Sequence, residues 1–310
     1  MANKQIRNSL LLVLTALIWG LAFIAQTKGS SIGAFTFNGI RNLIGAAVLI
    51  PVILLMDKVG ISKKKPVTRA DKKLLWLGGT LMGIALCAAE SLQQIGINMG
   101  APAGKAGFLT AIYIILVPIL GIFIKRKCPS NIWIGAIIAV AGLYFLCMTD
   151  KFYFSTIDLL LLTCAFCFSI QILLIDHFSP QVDPIRLSAI EFFVCGMISS
   201  VIMIFAEMGH TKESLSAWAA TLYGWDAWIP ILYLGVLSTG VAYTLQVVAQ
   251  DGLNPTLASM IMSLESVFSL IFGWIILGQH LTTREFIGCG LMFAAIIIAQ
   301  LPQKKKKTKS

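Results

Sequence analysis

The chain has 310 residues, of which 57% are hydrophobic and 12% are charged, and its mean hydropathy is +0.85. A soluble domain carries about 25% charged residues, so this composition excludes an ordinary soluble protein. The net charge of +10 raises nucleic-acid binding as a hypothesis, which the placement of the basic residues tests below.

Ten apolar runs follow one another along the chain, at 9–27, 34–56, 74–98, 103–124, 131–148, 155–176, 185–206, 228–250, 255–277 and 284–301. A helix of about 20 residues crosses a hydrocarbon layer of about 30 Å and satisfies its own backbone there. The sequence therefore predicts an all-α integral membrane protein with ten transmembrane helices. The first run follows Lys4 and Arg7, as a signal peptide would, but nine further runs favour a retained helix.

The basic residues fall mainly on one side of these predicted helices. Eighteen Lys and Arg residues lie at 4–7, 58–73, 125–127, 186 and 304–309, whereas five lie on the other side, at Lys28, Lys105, Lys151, Lys212 and Arg284. The side richer in Lys and Arg is normally cytoplasmic. We therefore expect a multi-pass cell-membrane protein with both termini in the cytoplasm. The basic tail 302–310 is then a topological anchor or, alternatively, a lipid-specific or regulatory patch. The net positive charge is thus explained without binding to nucleic acid.

The sequence offers little support for disulfide, metal or redox chemistry. Six of the seven cysteines fall inside apolar runs, and the CxxC spacing of Cys164 and Cys167 lies in a Leu-rich run, where packing is a simpler role than redox chemistry. The three histidines lie near the ends of runs. We expect no metal site and no cofactor.

The chain repeats itself at an offset of 153 residues. This offset aligns Leu92-Gln93 with Leu245-Gln246, Pro102 with Pro255, and Gly135 with Gly288. Each half then contains five helices, which predicts one unit at 9–148 and a second at 155–301. An odd number of helices gives the two units opposite orientations, as in the inverted repeats of many secondary transporters, whose substrates bind between the halves near mid-membrane.

Motifs in both halves resemble the drug/metabolite transporter superfamily, and within it the EamA-like transporter family. They are Ile18-Trp19-Gly20, Arg41, Ala106 to Thr110 with Val117-Pro118, Leu264 to Val267, and Gly273-Trp274. The resemblance spans residues 9–301 and implies an exporter of small molecules. The family often ends its fourth and ninth helices with an acidic residue, where this chain has Lys125-Arg126-Lys127 and Gly278-Gln279-His280, so any role of that acid does not carry over.

Four ionisable side chains lie inside the predicted helices, where they are costly unless they are paired or face water. Glu265 is the strongest candidate for proton or substrate chemistry, because a carboxyl group in a cavity that opens can bind and release a proton. Arg41 either binds an anionic solute group or pairs with a carboxylate such as Glu90. Glu191 lies close enough to the end of its helix to extend towards the cytoplasmic surface.

Uncharged polar and aromatic side chains complete the candidate pathway. Gln93, Gln94 and Gln246 either line a cavity or link helices. Trp19, Tyr113, Tyr243 and Trp274 lie away from the predicted interfaces and are candidates for shaping a pocket. Lys105, at the start of the fourth helix, either faces an anion, such as a substrate, or extends to the outer surface. Pro118 predicts a kink in the fourth helix.

These observations favour a permease: a secondary transporter that exports a small organic metabolite or drug by alternating access. Protons are the candidate coupling ion, membrane lipids surround the chain, and the sequence does not fix the oligomeric state. No GxxxxGK[ST] motif is present to bind ATP. One alternative is an integral-membrane enzyme acting on lipid-linked substrates, but the loops at 57–73 and 207–227 lack a convincing group of catalytic His, Cys or carboxylate residues. The other alternative is a membrane scaffold or sensor.

Overall fold

The computed structural model describes residues 2–62, 64–101, 103–126, 128–147, 155–277 and 282–301. Several residues named above lie outside these ranges: Pro102, Lys63, Lys127, Lys151, 278–280 and the tail 302–310.

Ten helices in the described ranges are long and apolar enough to cross a membrane. They are α1 (Ala2–Lys28), α2 (Ala34–Val59), α3 (Arg69–Asn98), α4 (Ala103–Ala111 and Tyr113–Phe123), α5 (Ser130–Cys147), α6 (Thr156–Phe178), α7 (Pro184–Ala206), α8 (Trp225–Gln250), α9 (Pro255–Met262 and Glu265–Leu277) and α10 (Thr283–Gln300). Each coincides with one of the predicted runs, so the predicted ten-helix membrane fold is confirmed.

Polar caps explain where several helices begin. Thr68, Ser155 and Thr282 each accept a hydrogen bond from the backbone of the first turn of α3, α6 and α10, while an acidic side chain of that turn accepts one in return. Asp183 and Asn254 cap α7 and α9, and each is followed by a proline at the first helical position. The local sequence therefore sets these boundaries independently of hydropathy.

Two helices are interrupted at nearly equivalent positions of the two halves. The break in α4 is at Ile112, and the break in α9 is at Ser263 and Leu264, which agrees with the repeat offset to within two residues. The second segments begin at Tyr113 and at Glu265. The break in α4 lies before Pro118, which is inside the helix Tyr113–Phe123, so the kink expected at Pro118 stays a prediction.

The middle of α8 is a π-helix, from Tyr233 to Tyr243. It packs closely on α2, where a Cβ added to Gly45 would lie 2.5 Å from Thr239 Cγ2 and one added to Gly235 would lie 2.8 Å from Ile44 Cγ2. Short π-helical segments often occur at functional sites because they shift side chains out of the regular register. The sequence pattern predicted only a regular helix here.

The helices of the first half pack mainly on helices of the second. The main partners are α1 with α8 and α9, α2 with α7 and α8, α3 with α6 and α7, and α5 with α10. Small residues permit these close approaches, since a Cβ on Gly142 of α5 would lie 3.0 Å from the carbonyl oxygen of Gly288 of α10. The core is therefore formed between the halves.

Contacts between helix ends define two faces of the bundle. On the face where α1 begins, Lys4 pairs with Asp251 at 3.2 Å, Arg126 pairs with Asp176 at 2.5 Å, and Arg186 pairs with Asp57. We call this the amino-terminal face.

On the opposite face, Glu207 accepts hydrogen bonds from the backbone N–H groups of Phe35 and Thr36 at the start of α2, at 2.9 and 2.7 Å. A short helix that the sequence analysis did not predict, Lys212–Ala220, lies in the loop between α7 and α8. Its Trp218 donates a hydrogen bond to Thr36 Oγ1 at 2.8 Å. The loop is therefore held against the start of α2.

Candidate functional site

A cavity of about 50 Å³ lies between the two halves of the chain. Both halves line it, with Trp19, Ala22, Phe23, Gln26, Arg41, Gln93, Thr110 and Tyr113 from the first half and Phe168, Gln171, Ile172, Ser238, Tyr243, Gln246, Met262 and Glu265 from the second. This volume holds a few water molecules. A larger solute therefore requires neighbouring helices to move.

One wall of the cavity carries a buried ion pair. Arg41 Nη2 lies 2.9 Å from Glu90 Oε1, and the two side chains are 3% and 0% exposed. Asn42 donates to Glu90 Oε2 at 2.6 Å, so the carboxylate is held from two sides. Arg41 lines the cavity whereas Glu90 does not, and Arg41 Nε has no partner among the described residues. Glu90 therefore neutralises and orients a cation that faces the cavity.

A second ionisable group lies at the break in α9. Glu265 is 7% exposed and lines the cavity, and Tyr113 donates a hydrogen bond to Glu265 Oε1 at 3.5 Å. Each of these two residues begins the second segment of its interrupted helix. A carboxylate is favoured in the first turn of a helix, near the unpaired backbone N–H groups. No salt bridge to Glu265 occurs in the part of the chain that the structure describes.

The first half supplies a chain of amide side chains. Gln26 Nε2 donates to Gln93 Oε1 at 3.0 Å, and Gln93 Nε2 donates to Thr110 Oγ1 at 3.3 Å. Gln94 is buried behind this chain and does not line the cavity. It donates to Asn98 Oδ1 within α3 at 2.9 Å and to the backbone carbonyl of Gln26 on α1 at 3.4 Å. Of the two glutamines predicted in α3, Gln93 therefore faces the cavity and Gln94 links helices.

The second half supplies a corresponding chain. Gln246 Nε2 donates to Gln171 Oε1 at 3.3 Å, and Gln171 Nε2 donates to Glu191 Oε1 at 2.8 Å. Glu191 is 0% exposed, so the hypothesis that it extends to the surface is wrong. The first turns of α7 are buried against α3, where a Cβ on Gly83 would lie 2.7 Å from the carbonyl oxygen of Glu191. This contact holds the backbone of Glu191 against α3, inside the bundle.

Aromatic rings close the cavity on one side. The rings of Trp19 and Tyr243 lie 4.6 Å apart between centroids, at an angle of 58°. Trp19 Nε1 is buried and has no acceptor among the described residues. Trp274, a pocket candidate from the sequence, is instead 52% exposed on the outside of the bundle, because the second segment of α9 turns this position away from the core.

Lys105 lies outside the cavity. Its ammonium group is 2.6 Å from Asp158 Oδ1, and the Asp158 side chain is 0% exposed. The anion beside Lys105 is therefore Asp158, a side chain of the protein itself. Asp158 also caps the start of α6, so this pair fastens α4 to α6 at the face opposite the amino terminus.

Sequence analysis missed several cavity residues. Gln26 and Gln171 are amides within apolar runs, so the signal that identified Gln93 and Gln246 was present for them as well. Phe168, Ser238 and Met262 carry no comparable signal, because similar residues occur throughout the lipid-facing surface. Only the rotation of each helix about its axis decides whether such a residue faces the cavity or the lipid.

Comparison with known proteins is consistent with this arrangement. A relative from Archaeoglobus fulgidus, an uncharacterized transporter, is 28% identical over 305 residues, which cover 96% of this chain and 87% of that protein. The threonine/homoserine exporter RhtA of Escherichia coli K12 is 24% identical over 301 residues, covering 96% and 92%. A solved crystal structure has the same fold, with a TM-score of 0.75 at 17% identity, and covers 95% of this chain and 96% of its own.

The sequence profile of the EamA-like transporter family matches residues 7–148 and 155–300, which together include all ten helices. The family and the relatives are transporters, which argues against the membrane-enzyme alternative. The chain is therefore a multi-pass membrane transporter that belongs to the EamA-like transporter family, within the drug/metabolite transporter superfamily.

Proposed function

We propose that this transporter exports a small zwitterionic organic solute in exchange for protons, by alternating access of the central cavity. The proposal places the chain in the cell membrane, with both termini and the basic tail 302–310 in the cytoplasm. It treats 9–148 and 155–301 as two inverted five-helix units that move about the cavity between them.

The observation that carries this proposal is a buried cavity with a cation and a carboxyl group contributed by different halves. Arg41 belongs to the first half and Glu265 to the second, and both line the same space. A solute that bridges them makes its strongest contacts only when the halves are closed around it. Binding energy that depends on closure is what alternating access requires.

The polar groups without partners indicate the class of solute. Arg41 Nε and Trp19 Nε1 are buried donors without acceptors among the described residues, and they suit a carboxylate. Gln246 Oε1 is a buried acceptor that has no donor among the described residues. Together with Glu265, which also lines the cavity, it suits an ammonium group. A free amino acid carries both groups. The threonine/homoserine exporter among the relatives makes these two amino acids the first solutes to test.

Glu265 is the proposed site of proton exchange. The carboxylate binds either the ammonium group of the solute or a proton, but not both, and this competition couples export to proton entry. Tyr113 maintains a hydrogen bond to Glu265 from the other half in either state, since its hydroxyl can donate or accept.

The test is flux into and out of proteoliposomes under an imposed pH gradient, with a panel that includes L-threonine, L-homoserine, their decarboxylated amines and their N-acetylated forms. We expect the gradient to drive transport of the zwitterions and neither single-charge analogue to compete well. Glu265→Gln should abolish gradient-driven flux while the protein still folds. Gln94→Met is the matched control, because Gln94 is buried beside the cavity without lining it.

Two outcomes would contradict the proposal. Undiminished gradient-driven flux in Glu265→Gln would remove Glu265 from coupling, and equal transport of the amines and the zwitterions would remove Arg41 from recognition. Labelling of a tag at each terminus in intact cells tests the orientation separately. Accessibility of either terminus from outside would refute the cytoplasmic placement.

A further inference from the structure

One buried carboxyl group, that of Glu191, has no place in the mechanism so far. It is fully buried, it does not line the cavity, and no cation pairs with it in the described part of the chain. Its only described hydrogen bond comes from the side chain of Gln171, and its Oε2 has no partner among the described residues. A group of this kind is costly in a membrane protein, and a purely structural role would be served by an amide or a Leu.

The hydrogen bonds that link Glu191 to the cavity all have the same direction. The N–H of Gln246 donates to the carbonyl of Gln171, and the N–H of Gln171 donates to Glu191. Each glutamine therefore uses its N–H towards Glu191. The carbonyl oxygen of Gln246 is left over, and it is buried at the cavity without a described donor.

A proton on Glu191 permits the opposite direction, because the carboxyl group gains an O–H donor. When this O–H donates to the carbonyl of Gln171, the N–H of Gln171 turns to the carbonyl of Gln246. The N–H of Gln246 is then left over in place of its carbonyl oxygen. Both arrangements contain the same number of hydrogen bonds between the three side chains, so neither amide loses a partner in the exchange.

We propose that Gln171 and Gln246 transmit the protonation state of Glu191 to the cavity, so that the ionised form presents a carbonyl acceptor there and the protonated form presents an N–H donor. This proposal rests on the function proposed above and adds a second proton site to it. The acceptor state suits the ammonium group of the solute. The donor state opposes that group and so favours its release after proton uptake.

The groups that surround Glu191 are compatible with its titration. On the helices packed on α7, the ionisable side chains that interact electrostatically with Glu191 are Glu90 of α3, which is paired with Arg41 of α2, and Tyr243 of α8. Arg41 is already bound to Glu90, which leaves it unable to neutralise Glu191. The uptake of a proton is therefore the available way to remove a charge at this position.

Infrared difference spectroscopy of the purified protein tests this proposal without any solute. Protein labelled with 13C in its glutamine side chains is stepped between about pH 5 and about pH 9, a range that covers perturbed carboxyl groups. We expect the protonated carboxyl band to change together with a band from a glutamine amide. In Glu191→Gln the coupled amide change should disappear. In Gln171→Met the carboxyl change should remain while the Gln246 amide no longer responds.

Two matched variants control for other groups. Glu265→Gln removes the other unpaired buried carboxyl group and should leave the amide response intact, and Gln94→Met removes a buried glutamine outside the chain and should leave both changes intact. If Glu191→Gln does not fold, Gln171→Met carries the test alone. An amide response that survives in either Glu191→Gln or Gln171→Met, or the absence of any Glu191 titration over the range, would overturn the proposal. Since no flux is measured, failure of the transport experiment leaves this result unaffected.

Discussion

Glu90→Gln should destabilise the protein by leaving Arg41 with an unneutralised charge. The two side chains are 0% and 3% exposed and lie 2.9 Å apart, so solvent cannot replace the lost carboxylate. Removing one member of a buried pair costs about 3–5 kcal/mol. Glutamine can still accept a hydrogen bond from Asn42, which places the expected loss at the lower end, about 3 kcal/mol, or about 100-fold in the folding equilibrium.

Removing both charges should cost much less than removing Glu90 alone. The double variant Arg41→Met with Glu90→Leu replaces the pair by apolar side chains of similar volume, a change that is often neutral or stabilising. The double variant should therefore fold with a stability close to that of the wild type but fail to transport, because the cation that faces the cavity is gone.

Equilibrium unfolding in mixed micelles measures these differences, with helical circular dichroism as the signal. Arg41→Met, Glu90→Leu and the double variant form a cycle that isolates the interaction between the two side chains. The reasoning would be refuted if Glu90→Gln lay within about 1 kcal/mol of the wild type, or if the double variant were as unstable as Glu90→Gln.

Three further predictions follow from the placement of single side chains. Trp19→Ala should abolish transport of the exported solute while Trp274→Ala, on the outside of the bundle, should retain it, and equal flux in the two variants would contradict the assignment of the cavity wall. Gly288→Leu should lower thermal stability and folding yield, because a Cβ at this position would lie 2.8 Å from the backbone of α5. Gly290→Leu is the control and should match the wild type, because a Cβ there would have nothing within 4 Å. Equal melting temperatures of the two variants would count against the close contact between α5 and α10. Lys105→Met should destabilise by about 1–3 kcal/mol, since its buried carboxylate partner loses its cation, yet leave KM for the solute unchanged; a raised KM would return Lys105 to the substrate pathway.

The helices could be predicted from sequence because hydrocarbon imposes a strict rule on them. Every backbone polar group must be satisfied within its own helix, so the length and apolarity of a run suffice to identify it. The caps at Thr68, Ser155 and Thr282 refine the boundaries, since they depend only on neighbouring residues. The breaks in α4 and α9 could not be predicted, because Pro118 lies beyond the break in α4 and α9 contains no proline near its break.

The site could be predicted only in part, because lipid makes helix rotation hard to infer. In a soluble helix, polar residues mark the outside, but here lipid-facing and core-facing residues are equally apolar. Ionisable and amide residues such as Arg41, Gln93 and Glu265 were identified because they are expensive in hydrocarbon, whereas Trp274 was placed wrongly because a tryptophan is tolerated on either side. The interaction partner of each side chain was harder still to predict. The pairing of Lys105 depends on Asp158, which is 53 residues away along the chain.

The packing of each half on the other has a consequence for biogenesis. The first five helices enter the membrane before their main partners have been synthesised, since α2 needs α7 and α5 needs α10. Until the last helix is inserted, the glycine-lined face of α5 is open to lipid and to other nascent chains. A chain severed between residues 148 and 155 should thus recover its native state only when both fragments are made together, and each fragment alone should be degraded or should pair with a second copy of itself.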